Sequence, residues 1–275
     1  MTQSFEIEHN IVYGMISGTA LLGDLYRPHR PNGIGLLHIS GSGWHAPTTY
    51  DARPLKESGH VAIYVHPLAE RGFTVFTINH RAAPTFRYPA ALEDAQRAVR
   101  HLRHHATSYG IDPDRIGALG GSSGGHLVAM LGVLASAGNP DAIDPVSQEA
   151  ADIQCMVTRA APVDLRRRYG QGKIVSFLGR AAEPTPEADP LYRDASPITH
   201  VSAATPPMLL FHGTADDVVP FEQSALMQAA LNAHGVSNRL IAVEGAGHGP
   251  QLPGAINPPD LNSEIAAWFQ RYLLA

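Results

Sequence analysis

The hydrophobic and polar positions of the chain follow two spacings, one typical of buried strands and one typical of amphipathic helices. Apolar or alternating runs predict strands at residues 5–13, 19–26, 34–39, 73–78, 115–119, 153–160, 207–211 and 239–243. Apolar residues at helical spacing predict helices at 61–70, 89–105, 127–135, 221–234 and 261–274. Because strands and helices alternate, we expect an α/β fold with a mostly parallel sheet covered on both faces, and an antiparallel hairpin from the first two strands.

One domain, 1–275, is expected, because no linker, repeat or low-complexity tract divides the 275 residues. One stretch, at about 164–205, departs from the alternation. It contains many prolines, several basic residues and only short apolar pieces. A connection of that length predicts either a short cap or lid over a site, or one short helix with loops crossing the top of the sheet.

A glycine- and serine-rich run joins a predicted strand to a predicted helix: Gly120-Gly121-Ser122-Ser123-Gly124-Gly125. The spacing G-x-S-x-G fits a nucleophile elbow, in which glycines allow a sharp turn around a serine, and either serine satisfies it. The glycines do not match a dinucleotide-binding loop. The lysine of a P-loop is also missing, since His126 and Leu127 follow the last glycine. A plain structural turn is the other alternative.

A serine nucleophile needs a base within hydrogen-bond reach and an acid that orients the base. Asp216 follows the strand at 207–211 in a tight turn, and His248 follows the strand at 239–243 between two glycines. The neighbouring Asp217 is interpreted as a turn or cap residue. The chain order Ser, Asp, His is that of α/β-hydrolases.

Backbone amides that bind a developing oxyanion are predicted in the loop directly after the strand at 34–39. With Ser122 as the nucleophile, the amides of Gly41, Ser42 and Ser123 could point at one oxygen atom. The same loop continues with Gly43 and Trp44, which we assign to the wall of a substrate pocket. For Trp44, an ordinary place in the core is an equal alternative.

These motifs resemble those of serine esterases of the α/β-hydrolase superfamily, of the hormone-sensitive-lipase and feruloyl- and acetyl-esterase type. The resemblance extends from about residue 10 to the C-terminus. Its strongest segments are 24–28, 79–81, 88–90, 115–127, 213–220 and 245–249. Aligned on them, the nucleophile is Ser122 rather than Ser123.

The resemblance implies the α/β-hydrolase fold and a carboxylesterase that acts through Ser122, His248 and Asp216, forms an acyl-enzyme and needs no cofactor. The sequence departs from the family pattern in the oxyanion loop, which usually begins with a histidine followed by three glycines. Here Ser40 replaces the histidine and Ser42 replaces the middle glycine. Small acyl or aryl esters are the expected substrates, because no large apolar lid is evident. An amide-bond hydrolase of the formamidase or peptidase type, or a non-catalytic ligand-binding protein, are the alternatives.

Charge and composition limit the classes of binding partner that the protein is expected to have. The net charge of -5 argues against nucleic-acid binding. Neither an export signal nor an apolar stretch of membrane-spanning length is evident, so a cytoplasmic protein with a small-molecule ester as partner is expected. The sequence leaves a homo-oligomer open. The single Cys155 is expected in the core. No metal is predicted, because no carboxylate or cysteine cluster joins the histidines at 101, 104 and 105 and the adjacent Arg100 and Arg103 would repel a cation. These histidines are interpreted as a solvated helix face.

Overall fold

The computed structural model describes residues 4–46, 49–167 and 171–274, which form an eight-stranded, mostly parallel sheet. The strands are β1 (Phe5–Ile16), β2 (Thr19–Pro28), β3 (Gly33–Ile39), β4 (Thr74–Ile78), β5 (Ile111–Gly121), β6 (Cys155–Arg159), β7 (Met208–Gly213) and β8 (Asn238–Val243). Their spatial order is β1-β2-β4-β3-β5-β6-β7-β8. Strand β2 pairs antiparallel with both β1 and β4, and all other neighbouring strands are parallel.

Helices connect the strands and cover both faces of the sheet. They are α1 (His66–Glu70), α2 (Ala90–His104), α3 (Ala106–Tyr109), α4 (Ser123–Val133), α5 (Gln171–Leu178), α6 (Pro190–Asp194), α7 (Glu222–Ala233) and α8 (Leu261–Leu273). Buried residues of α2 and α4 pack on one face, and those of α1 and α8 pack on the other. The α/β fold class predicted from the sequence is therefore confirmed.

Strand β3 shows why the central strands carry apolar side chains on both faces. Leu37 and Ile39 belong to the core on the face covered by α2 and α4, whereas Ile34 and Leu36 belong to the core under α1 and α8. Successive side chains of a strand point to opposite faces, so a strand covered on both faces has no polar alternation. Each of these fully buried side chains contributes about 1.5–3 kcal/mol to stability.

Two expectations about single residues have different outcomes. Cys155 is buried in the core, as expected, and this burial raises the pKa of its thiol. The expectation of a solvated histidine face on α2 is wrong for His101. Its ring is buried, stacks on Phe76 at a centroid distance of 5.5 Å, and lies 3.0 Å from the hydroxyl of Tyr109.

The segment at 164–205 contains α5 and α6 followed by a 3-10 turn, Pro197–His200. Residues 168–170 lie outside the described residues, and they include Arg168, one of the basic residues of this segment. Ile174 and Phe177 of α5 join the core on the α2 face. The single domain with a lid stays a prediction.

The parallel strands bring four loops to one edge of the sheet. β3 leads into the loop that begins at Ser40, and β5 leads directly into Ser122. β7 and β8 end at Gly213 and Val243, shortly before the predicted acid and base. Sites of open α/β sheets lie at this carboxyl edge.

Candidate active site

The serine of the elbow lies on a strained turn between β5 and α4. Ser122 has φ 53° and ψ -125°, a conformation that residues with side chains rarely adopt. A Cβ on Gly120 would lie 2.6 Å from the carbonyl carbon of Gly124. A Cβ on Gly124 would lie 2.1 Å from the carbonyl oxygen of Ile39. The turn therefore closes only with glycine at both positions, which is the G-x-S-x-G register of Ser122.

Three side chains that are distant in sequence form a hydrogen-bonded relay. The hydroxyl of Ser122 lies 3.0 Å from Nε2 of His248, and Nδ1 of His248 lies 2.7 Å from Oδ2 of Asp216. Nδ1–H donates to the carboxylate, which leaves Nε2 as the acceptor of the serine proton. The imidazole is 18% exposed, so it reaches the cavity, while the carboxylate is fully buried.

Asp216 is held by more than the catalytic histidine. Its Oδ1 accepts hydrogen bonds from the backbone amides of Val218 and Val219, at 2.9 and 2.8 Å. Burial alone would raise the pKa of Asp216, but hydrogen bonds from His212, His248 and Val219 outweigh burial and hold the pKa well below its usual range. The carboxylate is thus ionised at neutral pH, whereas the adjacent Asp217 is exposed to solvent.

His212 is a contact of Asp216 that sequence reasoning did not assign. Its Nε2 lies 2.9 Å from the carbonyl oxygen of Val219 and 3.4 Å from Oδ2 of Asp216, and its Nδ1 accepts from Ser224 at 2.7 Å. The ring is fully buried and contacts the buried carboxylate. Its position inside the turn motif at the end of β7 was the available signal.

The predicted oxyanion loop lies against the elbow, but one of its amides has another partner. A Cβ on Gly41 would lie 2.6 Å from the carbonyl oxygen of Gly121. The amide of Ser42 donates to the hydroxyl of Ser123 at 2.9 Å. Ser40, which replaces the usual histidine, is fixed by the hydroxyl of Ser58 at 2.7 Å. The role of these amides stays a prediction.

A cavity of about 390 Å³ opens at the relay. Ser122, His248, Gly43 and Trp44 line it. Trp44 is also part of the core, because it stacks on Phe177 at 4.5 Å and donates from Nε1 to His126 at 3.1 Å. A second cavity, of about 440 Å³, is lined by residues of β2 and of the segment 79–86 and contains none of the three relay residues. We assign the chemistry to the cavity that holds the relay.

Three more side chains of the cavity wall escaped sequence reasoning: His60, Arg159 and Lys173. Arg159 is the last residue of β6, at the carboxyl edge where sites lie, and this position was the available signal. His60 directly precedes the helical turn Val61–Val65, and Lys173 lies in α5. No local pattern indicates that either side chain approaches the cavity.

No three His, Cys, Asp or Glu side chains of the described residues are grouped so that they could hold a metal ion. None of the described helices has the length and apolar character needed to cross a bilayer.

The sheet order, the elbow and the relay define an α/β-hydrolase. Comparison with known protein families assigns the chain to a family within this fold. The model of the BD-FAE family matches residues 24–231, and because this is more than half of the chain, the protein belongs to the BD-FAE family.

Relatives and solved structures agree with this class. The chain is 33% identical over 241 residues to esterase LipQ of Mycobacterium tuberculosis (84% of this chain, 51% of that protein). It is 30% identical over 257 residues to esterase LipC of the same organism (88% and 59%). The chain thus spans about half the length of these curated relatives. It also resembles the crystal structure of an acetyl ester-xyloside bifunctional hydrolase from Caldicellulosiruptor lactoaceticus, with a TM-score of 0.78 and 27% identity over 92% of this chain and 87% of that chain. The predicted resemblance to esterases of the α/β-hydrolase superfamily is confirmed.

Proposed function

We propose that the protein is a serine carboxylesterase that hydrolyses small acyl or aryl esters through Ser122, His248 and Asp216. The observation that supports this proposal best is the position of one imidazole. His248 lies within hydrogen-bond distance of both the Ser122 hydroxyl and the Asp216 carboxylate. A base that contacts a nucleophile and an orienting acid is the arrangement that serine acyl transfer requires.

In the acylation half of the reaction, the oxygen of Ser122 attacks the acyl carbon while Nε2 of His248 takes the hydroxyl proton. The carbonyl oxygen becomes an oxyanion, which we assign to the amides of Gly41 and Ser123, because the amide of Ser42 already donates to the hydroxyl of Ser123. The ester C–O bond then breaks, and His248 returns the proton to the departing alcohol. The product is an acyl group bonded to Ser122.

In the deacylation half, a water molecule attacks the acyl carbon and gives its proton to His248. The bond between the acyl group and Ser122 breaks, the carboxylic acid leaves, and the proton returns to the serine oxygen. Asp216 stays ionised throughout and stabilises the imidazolium that forms in each half. Its low pKa suits that role, since the carboxylate does not compete for the proton.

Small substrates fit the site better than long lipids. The cavity of about 390 Å³ has the volume of a small-ligand pocket. Lys173 and Ile174 of α5 contribute to its wall, which supports the assignment of the segment at 164–205 as a short cap. The solved structure named an acetyl ester-xyloside hydrolase belongs to a protein of similar fold, and it suggests acetyl esters as the first substrates for assay.

The substitution Ser122→Ala tests the proposal. Turnover of p-nitrophenyl acetate should fall by about 10⁴-fold or more, because the nucleophile is lost. Ser237→Ala, at an exposed serine, is the matched control and should keep its activity. A fluorophosphonate probe should label the wild type on Ser122 and leave the variant unlabelled. Retained turnover in a clean preparation of Ser122→Ala would refute the assignment.

Matched ester and amide substrates test the amide-bond alternative. The relatives named above are esterases, so the ester of each pair should be cleaved with the higher kcat/KM. A higher kcat/KM for the amide would replace the esterase proposal with an amidase on the same relay.

A further inference from the structure

The cavity beside the relay carries an excess of positive charge. Arg159 and Lys173 line it, and no aspartate or glutamate is among the described residues of its wall. In the described part of the chain, neither cation takes part in an ion pair. The chain as a whole has a net charge of -5, so this local excess does not follow from the composition.

Arg159 is the unusual member of this pair. Its side chain is only 4% exposed, and its Nε has no hydrogen-bond partner among the described residues. Burying an unpaired cation is costly because its hydration is lost, and a guanidinium keeps its charge instead of releasing a proton. Buried charges are normally paired, so a partner is missing from this site.

The guanidinium lies next to the nucleophile. A Cβ on Gly121, the residue before Ser122, would lie 3.0 Å from Nη2 of Arg159 and 3.1 Å from its Nε. The same Cβ would lie 3.1 Å from the ring of His60. An anion held by Arg159 would therefore be close to an ester carbonyl at Ser122.

The neighbouring groups leave this charge uncompensated. Burial, then the charges of Arg159 and His248, lower the pKa of His60 to about 4, so His60 is neutral at neutral pH. Asp216 attracts Arg159 only at longer range, and its oxygens already accept from His248, Val218 and Val219. Arg159 lines the cavity that opens at the relay.

We propose that Arg159, assisted by Lys173, binds a carboxylate of the substrate, so that the site prefers esters that carry a carboxylate over neutral esters of the same shape. This inference rests on the proposed esterase function and names its substrate class. A planar guanidinium can donate two parallel hydrogen bonds to a carboxylate, and such charge-assisted bonds are the strong ones. Lys173 is exposed and acts as a second, weaker charge at the cavity mouth.

The first test uses the wild type and two pairs of substrates in which an amide replaces the carboxylate. One pair places the anion on the acyl side, with the p-nitrophenyl monoester of glutaric acid against that of glutaramic acid. The other places it on the alcohol side, with 4-acetoxybenzoate against 4-acetoxybenzamide. The anionic ester of at least one pair should have a kcat/KM about 10- to 100-fold higher, after subtraction of the uncatalysed rate. Equal or lower values for the anionic ester in both pairs would overturn the proposal.

The second test uses Arg159→Met and Lys173→Met. The ratio of kcat/KM for the anionic and neutral esters should fall about 10- to 100-fold in the first variant, and about 2- to 5-fold in the second, where the charge is exposed. The ratio is the readout because partial loss of folded enzyme lowers both rates equally. Arg271→Met removes an exposed arginine of α8 and should leave the ratio unchanged. An unchanged ratio in Arg159→Met would contradict the proposal.

The outcomes separate this inference from the function on which it rests. If neutral esters are cleaved as well as anionic ones, the esterase stands and the anion site is wrong. If no ester of either pair is cleaved and the fluorophosphonate probe does not label Ser122, the esterase proposal itself fails.

Discussion

Two polar clusters lie at the same edge of the sheet and differ in how their atoms are partnered. In the relay, His248 contacts Ser122 and Asp216 through its two nitrogens. The second cluster lies behind the elbow and consists of Arg159, His60 and His38. Among the described residues, no partner exists for Nε of Arg159, for Nδ1 of His60 or for either ring nitrogen of His38. The relay is complete within the chain, and the second cluster is not.

The two clusters also treat charge in opposite ways. Burial acts against the charged form in both, but Asp216 receives enough hydrogen bonds to stay ionised. His38 receives none, and burial, then the charge of His60, lower its pKa to about 3. For Asp216 and His38, the partners that the fold supplies therefore decide whether the charged form is kept. The chain itself supplies the partners of Asp216, which serves proton transfer. The unpartnered cation of Arg159 in the cavity wall indicates a ligand that carries a negative charge.

The largest effect is expected when the relay loses its acid. Asp216→Asn removes the charge that orients His248 and stabilises its cation, so kcat should fall by about 10⁴-fold. The measurement is turnover of p-nitrophenyl acetate, with fold integrity checked by circular dichroism. Asp217→Asn, at the exposed neighbour, is the matched control and should change kcat little. A comparable loss in both variants would show that the turn, not the Asp216 charge, is what matters.

A smaller effect is expected at the contact between the oxyanion loop and the elbow. Gly41→Ala places a Cβ 2.6 Å from the carbonyl oxygen of Gly121, so the loop must move away from Ser122. Since displacement of an oxyanion donor costs about 10²–10³-fold in kcat, a loss of that size is predicted. Gly59→Ala is the control, because its Cβ meets nothing within 4 Å. Activity that survives Gly41→Ala would remove this loop from the oxyanion site.

The parts of the fold that could be predicted are those whose signal is local. The run at 34–39 is apolar except for His38 because β3 is buried on both faces, and the helix expected at 89–105 is α2 within one residue at each end. The elbow could be found because its glycines have the spacing of a strand-to-helix turn, although the contact that excludes a Cβ at Gly124 comes from Ile39 of β3. Asp216 and His248 follow strands whose ends must meet at one edge.

The unpredicted features depend on contacts between elements that are distant in sequence. His101 lies among charged residues of α2, but Phe76 of β4 covers its ring. The amide of Ser42 donates to Ser123, a side chain 81 positions away, so the expectation that it was free for an oxyanion had no local test. Arg159 ends an apolar strand, and only the packing of Gly121 and His60 around it shows that its charge is unpaired.

The smallest predicted effect concerns the unpartnered cluster, through the stability of the protein in acid. His38 is buried, and its pKa of about 3 in the folded chain compares with an ordinary 6.5. Below pH 6.5 the unfolded chain takes up a proton that the folded chain does not, so stability falls with decreasing pH by up to about 1.4 kcal/mol per unit from this residue. The contribution is absent above pH 6.5 and continues down to the folded pKa.

His38→Leu removes this proton uptake without removing a hydrogen bond, because neither ring nitrogen has a partner among the described residues. At pH 8 both chains are free of the effect, so urea unfolding there measures the change in packing alone. At pH 5 the difference in free energy of unfolding between the variant and the wild type should be about 2 kcal/mol more favourable to the variant than at pH 8. His60 remains and keeps part of the acid sensitivity. Parallel stability curves for the two proteins would mean that His38 finds a partner for its charged form, and the contrast between the two clusters would then rest on Arg159 alone.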